Sequence, residues 1–113
     1  MAVTIYHNPR CTKSREALAL IEKKGLKPRV VEYLQTPPSA AELKRILGLL
    51  QKAPREILRA KEAREAGIDP GRLTDAQLIA KMVAHPAVIE RPIVVAGGKA
   101  RVGRPPETIL DIL

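Results

Sequence analysis

Two short runs, Ile93-Val94-Val95-Ala96 and Lys99-Ala100-Arg101-Val102, stand on either side of Gly97-Gly98. A two-residue glycine loop supplies the positive φ angles that a tight hairpin turn requires, and its twist matches that of the strands it joins. The last quarter of the chain is therefore an antiparallel hairpin. At the other end, Val3-Thr4-Ile5-Tyr6 is a β-branched and aromatic run that reads as a strand. Thr12 to Lys24 follows, with Ala17, Leu18, Leu20 and Ile21 at helical spacing, and Gly25 closes that helix. Val30-Val31-Glu32-Tyr33 reads as a second strand. A helix lies between these two strands, so a parallel pair with a right-handed crossover is expected.

The middle of the chain is helical. Thr36-Pro37-Pro38-Ser39 is a turn, and Ser39 with Glu42 three residues on marks a capped helix over about Ala40 to Leu50. Arg55 to Ala66 and Asp75 to Ala84 read as further helices, the second opened by Thr74 and Gln77 in the same pattern. Pro105 suits the first position of a terminal helix, with Glu107 in its first turn. The order βαβ, helical segment, β-hairpin, α is that of a thioredoxin-like α/β fold, a mixed four-stranded sheet with a helical insertion between the βαβ unit and the hairpin. At 113 residues the chain is long enough for one compact domain, read as residues 1–113.

Hydrophobic residues make up 45% of the chain and charged residues 28%, the balance of a globular protein rather than a disordered one. With two Tyr and no Phe or Trp, the core falls to Leu, Ile, Val and Ala, and there is no aromatic platform on which single-stranded bases would stack. A net charge of +8 is compatible with nucleic acid, an acidic partner or small anions. The basic residues are spread along the chain with Glu interleaved, as in Glu62-Ala63-Arg64-Glu65, which reads as solvated helix faces and argues against nucleic acid. One cysteine excludes an internal disulfide, and no apolar run is long enough for a membrane span or a leader. A cytoplasmic, reducing location and a monomer with no membrane partner are expected. A lone Cys and two distant His supply no zinc-type ligand set, so no metal is expected.

That cysteine, Cys11, lies in His7-Asn8-Pro9-Arg10-Cys11-Thr12-Lys13-Ser14-Arg15, between the first strand and the first helix. A lone cysteine is often a small buried apolar residue. A sulfur at a strand-to-helix turn, however, faces the unpaired N–H groups of the first helical turn and the positive end of the helix dipole, which lower a thiol pKa and attract anions. Arg10, Lys13 and Arg15 add positive charge. In α/β sheets ligands gather beyond the carboxyl ends of parallel strands, and the first strand leads directly into this loop.

Ile5-Tyr6-His7-Asn8-Pro9-Arg10-Cys11-Thr12-Lys13-Ser14-Arg15 resembles the N-terminal signature of the glutaredoxin-coupled arsenate reductases. Tyr33-Leu34-Gln35-Thr36-Pro37-Pro38, Glu90-Arg91-Pro92-Ile93-Val94-Val95 and Gly103-Arg104-Pro105-Pro106-Glu107 resemble the remaining blocks of that family, in order. The resemblance implies that Cys11 is the nucleophile and that Arg59, Arg91 and Arg104 gather around an arsenate or similar oxyanion. Guanidinium forks present paired, fixed N–H donors to tetrahedral oxyanions, whereas lysine offers a point charge. Arg59 lies in the helical segment with Arg55 and Arg64 as neighbouring candidates, and its selection rests on aligning Ile57-Leu58-Arg59-Ala60-Lys61. Pro92 is either an ordinary strand-start proline or the cis-proline that thioredoxin-like proteins place beside the active cysteine. His7 and Ser14 are matched to groups that tune the sulfur. Alternatively, Ser14 satisfies backbone donors and His7 donates to a loop carbonyl. The family uses no bound cofactor, with glutathione as co-substrate and glutaredoxin as partner. A single cysteine cannot resolve its own disulfide, so a cycle of this kind needs an external thiol.

Arg10 stands where the best-studied members carry a small residue, and Thr12-Lys13 replaces a small or glycine-containing pair, making the mouth of the site bulkier and more basic. That change either strengthens attraction of anions or of glutathione or alters which oxyanion fits. Two other functions remain open at this level. One is a glutathione-linked thiol oxidoreductase acting on another substrate. The other is a regulator resembling the Spx-type proteins that bind RNA polymerase, although the Cys-x-x-Cys switch typical of those has Ser14 in its second place.

Overall fold

The structure, a computed structural model, describes residues 1–113. The chain forms two compact units, one of Met1–Thr36 with Arg91–Leu113 and the other of Pro37–Glu90.

The first unit holds the sheet. Strands β1 (Val3–His7), β2 (Arg29–Glu32), β3 (Ile93–Ala96) and β4 (Lys99–Val102) lie in the order β2-β1-β3-β4. β1 and β2 are parallel with Ile5 opposite Val30, β1 and β3 antiparallel with Ile5 opposite Val94, and β3 and β4 antiparallel with Val94 opposite Arg101. This is the mixed sheet of the thioredoxin-like fold. Ile5 and Val94, on the two central strands, are fully buried. Gly97 and Gly98 turn the hairpin at φ +57° and +77°. Helix α1 (Thr12–Lys23) crosses from β1 to β2 and ends at Gly25, whose φ of +78° lets its N–H reach Glu22 O at 2.9 Å. Ala17 and Ile21 of α1 pack with Val3, Ile5, Val94, Ala96, Ile109 and Ile112 into an aliphatic core.

The terminal segment differs from the expected helix. Pro105 is the extended residue before it rather than its first residue, and Pro106–Ile112 is a 3-10 helix. With three residues per turn, every third side chain falls on one face. Pro106, Ile109 and Ile112 have that spacing and all three are buried. The Arg91-Pro92 and Arg104-Pro105 peptide bonds are both cis.

Gly103 holds the approach to this segment. Its N–H donates to Pro92 O at 2.8 Å, and a Cβ built on it would stand 2.8 Å from Pro92 Cγ. Gly103→Ala forces that proline ring aside and lowers stability by about 1–3 kcal/mol, the usual effect of overpacking. Gly48, in open helical surroundings with nothing within 4 Å, is the comparison. Gly48→Ala raises stability by about 0.4–1 kcal/mol through the unfolded chain. Urea titration of the two variants checks both signs.

The second unit contains α2 (Ala40–Leu50), α3 (Ala60–Glu65) and α4 (Asp75–Ala84). Ser39 Oγ accepts the Glu42 N–H at 3.1 Å at the head of α2, and Thr74 and Gln77 cap α4 reciprocally. The helix expected over Arg55 to Ala66 is broken. Pro54–Ile57 is a 3-10 turn, Leu58 and Arg59 are extended, and only Ala60–Glu65 is α-helical. The break lets Leu58 form an isolated antiparallel bridge with Ile89, with Arg59 N–H on Val88 O at 2.7 Å and Glu90 N–H on Ile57 O at 2.8 Å. Ile57, Val88 and Ile89 are thereby buried, a tertiary gain that overrides the local helical pattern.

Candidate active site around Cys11

The loop from β1 to α1 is fixed by its own residue types. Pro9 presets φ for the second position of a turn, and the turn closes with Cys11 N–H on Asn8 O at 3.0 Å. Asn8, itself buried, accepts the Arg10 N–H through Oδ1 at 3.0 Å. Arg15 ties the turn from outside, donating to Pro9 O at 2.9 Å and to Thr12 Oγ1 at 3.2 Å. Cys11 is thereby held in extended geometry (φ −91°, ψ 123°) as the residue before the first turn of α1. Its own carbonyl accepts Arg15 N–H at 3.0 Å, which aligns the start of the helix.

Two consequences follow for the sulfur. Cys11 is half-buried and free. Partial burial raises its pKa, but the Ser14 N–H, the Arg91 guanidinium and the Lys13 N–H outweigh that and leave the thiol below the ordinary cysteine range. The two N–H groups act through the helix-end field, since the Cys11 side chain makes no well-aligned capping bond. Arg104 Nη1 donates to Arg91 O at 3.1 Å and lies 3.9 Å from Cys11 Sγ. Arg91 lies two residues before Ile93 and Arg104 two residues after Val102, and because Ile93 pairs with Val102 the hairpin brings both arginines to one sulfur.

Behind the sulfur lies a buried polar set. His7 Nδ1 is 2.6 Å from Ser14 Oγ, and the same oxygen accepts Asn8 N–H at 3.0 Å. Ser14 is fully buried, and His7 is 5% exposed. Burial depresses the His7 pKa; Glu32 on the neighbouring strand raises it and Arg15 lowers it, and the net shift is downward. His7 is therefore neutral at pH 7, and its Nδ1 shares a hydrogen bond with the Ser14 hydroxyl. Ser14 thus satisfies a backbone donor of the loop, the Asn8 N–H, and bonds the His7 ring through the same oxygen. A His held below its unfolded pKa contributes full stability above that value and loses it as pH falls through the folded pKa. Stability should therefore decline below about pH 6.5, and His7→Gln should flatten that decline. Thermal unfolding at about pH 7.5 and about pH 5.5 measures the difference.

Arg59 belongs to the second unit. Its Nε donates to Glu62 Oε2 at 3.0 Å and its Nη1 to Glu90 Oε1 at 2.7 Å. Burial acts against its charge, but the two carboxylates more than offset this and hold it firmly protonated. Arg55 is engaged elsewhere in that unit, with Asp75 Oδ1 at 3.1 Å and the Pro70 carbonyl at 3.1 Å. The parts that sequence reasoning missed are the two acids on Arg59 and the Arg15 clamp on the loop. Arg15 and Glu62 left a signal, each three residues after its partner, Thr12 and Arg59, whereas Glu90 left none.

A family model described as the ArsC family matches residues 6–112. The chain is 50% identical to the uncharacterized protein YfgD of Escherichia coli K12, over 98% of this chain and 96% of that one. It is 47% identical to an arsenate reductase of Neisseria meningitidis serogroup B, over 98% and 97% of the two chains. The solved structure of an arsenate reductase from Vibrio cholerae superimposes with a TM-score of 0.94 at 51% identity, covering 100% of this chain and 98% of that one. A match across nearly the whole chain, with the Cys11 loop inside it, makes this protein a member of the ArsC family.

Proposed function

We propose that this protein reduces arsenate to arsenite through a Cys11 thiolate, using glutathione as co-substrate and glutaredoxin to restore the thiol. The observation that carries this reading is the setting of one sulfur: Cys11 at the first turn of α1, its pKa lowered, with Arg91 acting on it and the Arg104 guanidinium 3.9 Å away. The same cations that favour a thiolate also attract a tetrahedral oxyanion to it, and guanidinium donors suit its edges.

In the first step the thiolate attacks arsenic(V), a sulfur–arsenic bond forms, and an arsenate oxygen takes protons and leaves as water. Glutathione then attacks the adduct. A sulfur–sulfur bond forms between glutathione and Cys11, the pair of the sulfur–arsenic bond stays on arsenic, and arsenic(III) departs as arsenite. Glutaredoxin removes the glutathione by thiol–disulfide exchange, the external resolution that a chain with one cysteine requires. Neutral His7 and Ser14 position the loop that carries the sulfur. We place the protein in the reducing cytoplasm as a single-domain monomer with no bound cofactor.

The resemblance also assigns Arg59 to the oxyanion. Arg59→Ala then lowers kcat/KM for arsenate by at least about tenfold while leaving the Cys11 pKa in place, whereas a purely structural ion pair would change unfolding and not kcat/KM. The reading as a whole is tested by arsenite formation from arsenate with glutathione, glutaredoxin and NADPH recycling. Turnover that depends on all three reductant components is expected. No arsenite from a protein whose Cys11 still reacts with thiol reagents at neutral pH overturns arsenate as the substrate.

A further inference from the structure

The cations around Cys11 fall into two groups. Arg91 and Arg104 act on the sulfur itself, and Arg15 is committed to Pro9 O and Thr12 Oγ1. Arg10 and Lys13 do neither. Both side chains are exposed, none of the molecule's ion pairs includes them, and no acidic residue lies between His7 and Arg15 to neutralise them. Their backbones are nevertheless fixed: Arg10 N–H is held by Asn8 Oδ1 at 3.0 Å, and Lys13 lies in the first turn of α1 with its N–H toward the sulfur. Two exposed cationic side chains on fixed backbones therefore adjoin the one cysteine in the chain, one before it and one after. The first chemical step has no need of them, since the arginines and helix N–H groups already serve it.

We propose that Arg10 and Lys13 select the thiol that approaches Cys11, favouring a small thiol that carries carboxylates over neutral or cationic ones. This deepens the proposed function and rests on its reading of Cys11 as a thiolate nucleophile. A peptide thiol with a carboxylate on either side of its sulfur brings two anionic groups to two cations as its sulfur nears Cys11. Exposed ion pairs are individually weak and screened by salt, so the selection is a few-fold per cation and roughly tenfold for the two.

Thiol–disulfide exchange tests this without arsenate. The Cys11 thiolate attacks one sulfur of a symmetrical disulfide, a Cys11–reagent disulfide forms, the original sulfur–sulfur bond breaks, and its pair leaves on the reagent thiolate. Rate constants are measured by adduct mass for glutathione disulfide, which is anionic, cystamine, which is cationic, and hydroxyethyl disulfide, which is neutral. The anionic-to-cationic ratio should fall roughly tenfold in the double variant Arg10→Gln with Lys13→Gln. It should also fall in the unmodified protein between about 0.01 M and about 1 M salt, over which the screening length drops from about 30 Å to about 3 Å. A mere change in Cys11 pKa moves all three rates together and leaves the ratio alone. Lys23→Gln with Lys24→Gln removes the same charge at the far end of α1 and is expected to keep the ratio within about twofold, the scale of a screened distant charge. The proposal is overturned by an unchanged ratio in the first double variant, by an equal fall in the second, or by a Cys11 that reacts with none of the three disulfides. The proposed arsenate chemistry can fail while this preference stands, because no oxyanion enters the assay.

Discussion

Cys11→Ser is expected to form no detectable arsenite, with turnover reduced by at least about 10³-fold, while the protein remains folded. The two halves of that expectation come from the same position. Cys11 is the residue before the first turn of α1, and serine is among the best residues there, accepting a first-turn N–H through its hydroxyl. Stability is therefore kept or slightly raised. The hydroxyl, however, does not ionise near neutral pH and cannot pass through the disulfide that returns electrons from glutathione. Thermal unfolding by circular dichroism and a coupled arsenite assay on the same preparation separate the two effects. Residual glutathione-dependent arsenite from a folded serine variant would falsify the proposed mechanism.

The second large effect is expected at Arg91. Partial burial pushes the Cys11 thiol up, and Arg91 is among the groups that reverse this, so Arg91→Ala raises the thiol pKa toward the ordinary range. Arsenite formation at neutral pH falls by about 10²-fold, the usual scale for removing one preorganised donor from a charged reacting group. The pH profile divides this loss. In the unmodified protein the rate climbs with pH and levels off below the ordinary cysteine range, because the thiolate is already formed. In Arg91→Ala the climb shifts to higher pH, and raising the pH restores the thiolate but not the oxyanion contact, so recovery is partial. Thiolate absorbance at 240 nm gives the pKa independently of turnover. Full recovery at high pH would assign Arg91 to the sulfur alone.

Much of this protein was legible locally. The Gly97-Gly98 hairpin, the parallel β1–β2 pair, and the Ser39 and Thr74 helix starts all came from turn chemistry, period and capping. The hairpin and the two helix starts are decided within a few residues by backbone sterics and side-chain hydrogen bonds, and the parallel pair by the helix that joins its strands. The Cys11 loop was legible for the same reason, since Asn8, Pro9 and the helix start specify its path. Local information failed where distant chain competes for the same backbone. Arg55 to Ala66 has a helical pattern, but the bridge between Leu58 and Ile89 breaks it to bury apolar side chains on both partners. At the C-terminus, burial of Pro106, Ile109 and Ile112 is met by a three-residue turn in place of an α-helix.

The site divides along the same line. From sequence alone came the single cysteine at a helix start and the charge around it, because residue type and nearest neighbours set that chemistry, while the short list of arginines came from the family resemblance. Tertiary structure decided which groups meet: Arg104 spans 93 positions to reach Cys11, and Ser14 closes on His7 and Asn8 to support the loop. It also decided that the Arg59 guanidinium is held by Glu62 and Glu90. Those pairings depend on where the sheet and helices bring separated segments together, and no local pattern of residues encodes that distance.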